Sequence, residues 1–273
     1  MDRDKIATLI RKILEEGAPS NLNSREAAWL AEEIIKRGEG EKLAKEWAKR
    51  RALGEPLAYI LESQPFHNIN LKINNSVLVP RPETEELVEI ALKSVAKKPK
   101  GLALDLGTGS GALALALANA LTSWKVIGTE LSLSAFNLAK ENAKNLSLEE
   151  RVTFYQGSWF SPLTKEVAFD LIVTNPPYVG TEEKIDRGAT FEPALALFAG
   201  KDGLNAYREI LPEVKKFLKP DGIFLGECSP MQADALCELA LRNGLSHPKI
   251  LLDSQGRKRF LFAGVKETLF ALQ

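Results

Sequence analysis

Two periodicities divide the chain. Through the first sixty residues the apolar positions recur at helical spacing. Ile6, Leu9, Ile10, Ile13 and Leu14 share one face, and Gly17 and Pro19 close the segment. Asn23 with Glu26 reads as a capping pair for a second helix, whose apolar face is Ala27, Leu30 and Ile34 and which stops at Gly38. A third helix is expected from Glu41 to Leu53, with Lys42, Lys45, Lys49, Arg50 and Arg51 as a solvated face. In "FHNINLKINNSVLVPRP" (66–82) the period drops to two. Ile69, Leu71 and Ile73 alternate with polar residues, Asn74-Asn75 can turn, and Val77 to Val79 can return, so a β-hairpin ended by Pro80 and Pro82 is expected.

From about residue 84 apolar runs and helical segments alternate. "GLALDLG", "WKVIGTE", "RVTFYQG", "FDLIVTN", "GIFLGEC", "HPKILLD" and "RFLFAG" are strand candidates. Helical patterns fall at Glu85–Ala96, Ala112–Leu121, Ser134–Asn145, Leu204–Leu218 and Met231–Asn243. This alternation predicts an α/β fold, a doubly wound, mostly parallel seven-stranded sheet with helices on both faces. The expected organisation is a small helical N-terminal domain (1–62), a β-hairpin linker (63–83) and a large domain (84–273).

Composition narrows the class. Hydrophobic residues at 45% and charged residues at 26% are those of a soluble globular protein. Lys+Arg and Asp+Glu are both 36, a balance that argues against a protein held to its partner mainly by phosphate contacts. Cys228 and Cys237 imply no disulfide framework, and with His67 and His247 far apart no metal site is expected. "MDRDKIATLIRK" has no signal-peptide core, and the longest apolar stretch, "GALALALANAL", is too short to span a bilayer. A cytoplasmic protein with no membrane partner is the expectation.

Four stretches carry candidate chemistry, each at the end of a strand. In "LDLGTGSGAL" a strand runs into Gly107-Thr108-Gly109-Ser110-Gly111 and then a helix. Glycines let a ligand approach the main chain, and the helix start adds free N–H groups, though a tight turn would use the same residues. Glu130 ends the next strand about 20 residues on, where a carboxylate can accept both hydroxyls of a ribose. It could equally be a helix-start acid. In "QGSWF" Trp159 can pack on an adenine face or belong to the core. In "TNPPYV" Pro176 and Pro177 cannot continue a central strand, and Asn175 is held extended before them. This motif is either a strand-ending turn or a rigid platform presenting an amide, a carbonyl and the ring of Tyr178.

The four together resemble S-adenosylmethionine-dependent methyltransferases acting on a planar nitrogen. The likeness extends to "RRALGEPLAYI" (50–60), "LVPRPETEELVE" (78–89) and "FEPALALFAG" (191–200), which follow one another as in the HemK/PrmC family. That resemblance implies a Rossmann-like methyltransferase fold with S-adenosylmethionine as cofactor. It also implies methylation of the glutamine side chain in the Gly-Gly-Gln motif of peptide chain release factors, with the helical N-terminal domain recognising the substrate. Asn175, Pro176, Pro177 and Tyr178 would be catalytic. Gly107, Thr108, Gly109, Ser110, Gly111, Glu130, Trp159 and Asn175 would hold the cofactor. Arg81 and Glu85 either line the entrance or form a helix-start salt bridge. The motif N-P-P-Y is shared with enzymes that methylate adenine or guanine, so a nucleic-acid amino-methyltransferase is the alternative. Residues 1–79 carry 13 Lys/Arg against 12 Asp/Glu, not the basic face such a substrate favours.

Overall fold

A computed structural model describes residues 3–17 and 24–265. The first helices bury the stripes that the pattern marks. Helices α1 (Arg3–Gly17), α2 (Ser24–Lys36) and α3 (Glu41–Ala52) close on Leu9, Ile13, Leu30, Ile34 and Trp47, and the short α4 (Leu57–Leu61) adds Ile60 to this small core. Pro19 and Asn23, expected as breaker and cap, lie outside the described residues. The basic end of α3 is tied locally: Arg50 donates to both carboxylate oxygens of Glu55, at 2.8 and 2.6 Å, and Arg51 to Glu26 at 3.2 Å.

The hairpin exists, but its partner differs from the one expected. Strand β2 (Ile69–Lys72) pairs antiparallel with the preceding β1 (Ser63–Phe66), not with Val77–Val79. Local hydrogen bonds explain this. Asn74 Oδ1 accepts from the Ser76 main-chain N–H at 2.9 Å, a side-chain turn that draws the chain away. The Val79 N–H, which a returning strand would use, is captured by Glu192 at 3.1 Å. The turn falls at His67, whose φ is 50°. The apolar side of the hairpin, Phe66, Ile69, Leu71 and Ile73, is continuous with the main core. Asn142 fastens it further, accepting from the Lys72 N–H and donating to the Lys72 and Ser110 carbonyls at 2.7, 3.0 and 2.9 Å.

Pro82 opens α5 (Pro82–Val95) from its first turn, where a missing N–H costs nothing. Then β3 (Leu102–Leu106), α6 (Ala112–Ala120), β4 (Lys125–Glu130), α7 (Leu133–Asn145), β5 (Val152–Gln156) and β6 (Phe169–Thr174) follow. After the short α8 (Ala194–Leu197) come α9 (Asn205–Phe217), β7 (Leu218–Glu227), α10 (Ala233–Arg242), β8 (Ser246–Leu252) and β9 (Lys258–Gly264). The seven-stranded sheet has the order β5-β4-β3-β6-β7-β9-β8, and only β9 runs against its neighbours. Strand β6 is buried along its whole length, as a central strand between two helical layers must be. Leu171 and Val173 face the core under α5–α7 and the hairpin, whereas Ile172 faces the core under α9 and α10. The chain winds one way from β3 to β5 and then crosses to β6 on the other side of β3. The crevice of this open sheet therefore lies between the carboxyl ends of β3 and β6. No helix among the described residues is long and apolar enough to cross a membrane.

Candidate active site

A cavity of about 370 Å³ opens at this crevice. Its wall includes the loop 107–110, Glu130, Trp159, Asn175 and Pro177, together with Thr84 from α5. Four strand ends separated in sequence are thus brought to one place.

The glycine loop is built by its backbone angles. Gly107, Gly109 and Gly111 have φ of 69°, 56° and 87°, a region that side chains disfavour. A Cβ on Gly107 would meet the Trp159 ring at 3.1 Å, whereas one on Gly109 would meet nothing within 4 Å among the described residues. The middle of the loop therefore faces open space. Gly107 and Thr108 donate their N–H groups to the Thr129 carbonyl at 2.9 and 3.0 Å, which pins the loop to β4. Glu130 completes the anchor: one carboxylate oxygen accepts from Gly109 N–H at 2.9 Å and the other from Ser132 N–H at 2.8 Å. The helix-start reading of Glu130 is thus seen in its hydrogen bonds. It braces a helix start, and it stands in the cavity wall with a lone pair left on each oxygen. Trp159 sits in a left-handed conformation, φ 45°, covering Gly107 and donating its indole N–H to Glu209 at 2.7 Å.

Asp105 escapes the sequence reading. One of its oxygens accepts from the Thr108 hydroxyl at 2.5 Å and from the Ala114 N–H at 3.1 Å. The other is buried with no partner among the described residues, in a side chain that lines the cavity. Burial pushes this carboxyl up to about 7, against the lowering effect of those two hydrogen bonds.

At the end of β6, the Thr174 hydroxyl donates to the Leu106 carbonyl at 2.8 Å and holds the two strand ends together. Asn175 then donates its side-chain N–H to the Thr84 hydroxyl oxygen at 3.0 Å. Its side-chain oxygen is buried and has no partner among the described residues. Pro176 is buried, and Pro177 lines the cavity. The Tyr178 ring is partly buried. Its hydroxyl donates to Glu227 at 3.3 Å, its carbonyl accepts from Gln232 at 2.7 Å, and burial raises its phenol well above the usual range.

Arg81 pairs with Glu192 at 2.5 Å, joining "PRP" to "FEP", and neither Arg81 nor Glu85 is among the residues lining the cavity. Thr84, in the same motif, is the residue that reaches it. Behind Thr84 stands Glu227 on β7, accepting the Thr84 hydroxyl at 2.8 Å, with burial pushing its carboxyl up to about 6. Each missed residue had one available signal: Asp105 and Glu227 are ionisable residues inside apolar strand runs, where an unpaired charge is costly.

A family model described as a methyltransferase domain matches residues 97–250. The chain is 38% identical to the release factor glutamine methyltransferase of Caulobacter vibrioides, over 82% of this chain and 78% of that protein. The protein of the same name in Moorella thermoacetica is 38% identical over 80% and 78%. That of Vibrio cholerae is 47% identical over 66% and 63%. Among solved structures, the hMettl16 catalytic domain in complex with a 3'UTR hairpin superposes with a TM-score of 0.61, covering 96% of this chain and 92% of that one, at 16% identity. A 16S rRNA methyltransferase of T. thermophilus in complex with AdoMet and guanosine gives 0.54 at 20% identity, over 75% and 50%. These two likenesses bear on the fold, a Rossmann-like methyltransferase sheet. The sequence likeness carries further, because at 38% identity it spans 80–82% of this chain and 78% of those relatives: the chain belongs to the release factor glutamine methyltransferase family.

Proposed function

We propose that this protein methylates the side-chain amide nitrogen of the glutamine in the Gly-Gly-Gln motif of peptide chain release factors, with S-adenosylmethionine as methyl donor. The observation that carries the reading is the buried, unpartnered side-chain oxygen of Asn175 at the cavity wall. The residues present fit the cofactor. The loop from Gly107 to Gly111 offers main chain with open space beside Gly109, and Glu130 offers acceptors for ribose hydroxyls. The free oxygen of Asp105 would accept from a cationic nitrogen. When bound, S-adenosylmethionine supplies an electrophilic methyl group on a sulfonium.

The protein's own part is to make an amide nitrogen nucleophilic. An amide lone pair is conjugated into its carbonyl, so both N–H groups need acceptors that turn the lone pair toward the donor. Asn175 Oδ1 takes one N–H and the Pro176 carbonyl the other. The two prolines fix these acceptors, so little reorganisation accompanies the reaction. Tyr178 bounds the far side of the platform. The extra proton leaves to water. The helical domain 1–62 and the hairpin hold the protein substrate.

The test incubates the enzyme with labelled S-adenosylmethionine, purified release factor and bulk RNA and DNA. The expected result is label on one release-factor glutamine, located by mass spectrometry. Label on adenine or guanine would transfer the site to a nucleic-acid substrate.

A further inference from the structure

The Asn175 side chain has two nearly isosteric orientations, one presenting its oxygen to the cavity and one its NH₂ group. Only the first can accept a hydrogen from a substrate amide. We infer that Glu227, acting through the Thr84 hydroxyl, fixes the orientation of Asn175 and so makes Glu227 and Thr84 positioning residues for methyl transfer. The inference rests on the role proposed above for Asn175 Oδ1.

Hydrogen-bond polarity carries the argument. An ionised carboxylate is acceptor-only, and a threonine hydroxyl has a single proton. Thr84 gives that proton to Glu227 at 2.8 Å. Its oxygen can then only accept from Asn175, which it does at 3.0 Å from Nδ2. Nδ2 is therefore committed to Thr84, and Oδ1 is left as the buried, unpartnered acceptor of a side chain whose residue lines the cavity. The second carboxylate oxygen of Glu227 is occupied by the Tyr178 hydroxyl at 3.3 Å. The acid is almost completely buried, on β7 whereas Asn175 follows β6, and 143 residues from Thr84, an expensive placement for a charge. The groups facing it account for its charge being tolerated. Arg259 from β9 lies near enough to favour the ionised form, while Glu83 from α5 opposes it. The Tyr178 hydroxyl is hydrogen-bonded to it, and the Tyr207 hydroxyl of α9 donates to its main-chain carbonyl.

The relay has a proton-dependent failure mode. Protonated Glu227 can donate to Thr84, which frees the Thr84 proton for Asn175 Oδ1. Asn175 then turns its NH₂ to the cavity, donor against donor. Methyl transfer should fall as the pH drops through about 6, where burial has moved this carboxyl.

The experiment measures single-turnover methyl transfer in Thr84→Val, Thr84→Ser and Glu227→Gln variants of the full chain, with folding checked by circular dichroism and cofactor affinity by calorimetry. Thr84→Val keeps the shape without the hydroxyl and should lose about 10²-fold in the transfer rate, with cofactor affinity within about twofold of wild type. Thr84→Ser should recover most of the loss. Glu227→Gln should be slower and lose the acidic limb of the rate profile. Thr84→Val at the wild-type rate, or Thr84→Ser as slow as Thr84→Val, overturns the relay.

The rates are compared on whichever nitrogen the wild type labels. A nucleic-acid substrate would thus defeat the functional reading without deciding the relay. Amide-proton exchange of Asn175 Nδ2, followed by ¹⁵N NMR, reads the same point without turnover. It should be slow in wild type and faster in Thr84→Val, and equal rates count against the relay.

Discussion

Among the described residues, each end of the cavity wall carries a residue with a buried amide or carboxyl oxygen that has no partner, besides the Thr129 hydroxyl at the glycine-loop end, but the two oxygens differ in kind. At the glycine-loop end it belongs to Asp105, a carboxylate that titrates, and burial has already moved it up to about 7. At the other end it belongs to Asn175, a neutral amide that does not itself titrate. A lone carboxylate in a wall is strained until a cation meets it. A lone amide oxygen waits at lower cost for an N–H. The chemistry of the two proposed ligands is written in that difference: a cationic cofactor at one end and a neutral amide substrate at the other.

Breaking the neutral end should have the largest effect. Asn175→Ala removes the acceptor and should lower turnover by about 10²–10³-fold, the scale of one preorganised transition-state contact. Asn175→Asp sharpens the contrast by making the two ends alike. It keeps an acceptor of similar shape, but its charge and that of Glu227 would compete for the single Thr84 proton, so partial activity is expected. Methyl incorporation into release-factor glutamine is the assay. Wild-type rates in both variants would reduce "TNPPYV" to a strand-ending turn.

A smaller effect is expected from Glu130. Its two oxygens already brace the Gly109 and Ser132 N–H groups. Glu130→Ala therefore loses loop anchors together with the proposed ribose contacts. Weakening of S-adenosylmethionine binding by about 1.5–3 kcal/mol is expected, from lost hydrogen bonds to a charged group. Calorimetric titration gives the number, and unchanged affinity would leave Glu130 as a helix brace alone.

The two ends also differ in how legible they were. Strands β3 to β9 stand out in sequence because each carries an apolar run between turn residues, and glycine at three alternate positions announces the loop at the end of β3. The start of β7 at Leu218 was hidden because "LKPDG" carries a proline and a glycine, and the ladder is irregular there, shifting register between Phe169 and Leu171 of β6. The hairpin slipped because its true partner contains Pro65, which argues against a strand, and because the Val79 N–H is taken by a glutamate 113 residues away. The link between Thr84 and Glu227 was invisible for the same reason, although Glu227 itself had a signal, as an ionisable residue in an apolar run. Their meaning lies in a contact across 143 residues, which no local pattern encodes.

The smallest effect is a pH slope, and it tests whether the glycine-loop end is truly the strained one. Unfolded, an aspartate titrates near 3.9, whereas burial holds Asp105 at about 7. Between those values the folded protein binds the proton that the unfolded chain has lost, so stability falls as pH rises through that window. Without added cofactor, the protein should therefore melt higher at pH 6 than at pH 8. For a protein of this size each kcal/mol moves the midpoint by roughly 2–4 °C, so the difference should be several degrees. Asp105→Asn keeps an acceptor for Thr108 and Ala114 but cannot ionise, so it should flatten most of the slope. Glu227, also raised by burial but only to about 6, should leave a residue of slope at the acid side in the variant. Saturating S-adenosylmethionine should flatten the wild-type slope in a different way, by giving the carboxylate a cation at pH 8. Nothing comparable is expected of Asn175→Ala, whose melting should follow the wild-type pH dependence. If Asp105→Asn melts with the full wild-type slope, the orphaned carboxylate is not the source of strain, and the contrast between a charged and a neutral end of the cavity fails at the charged end.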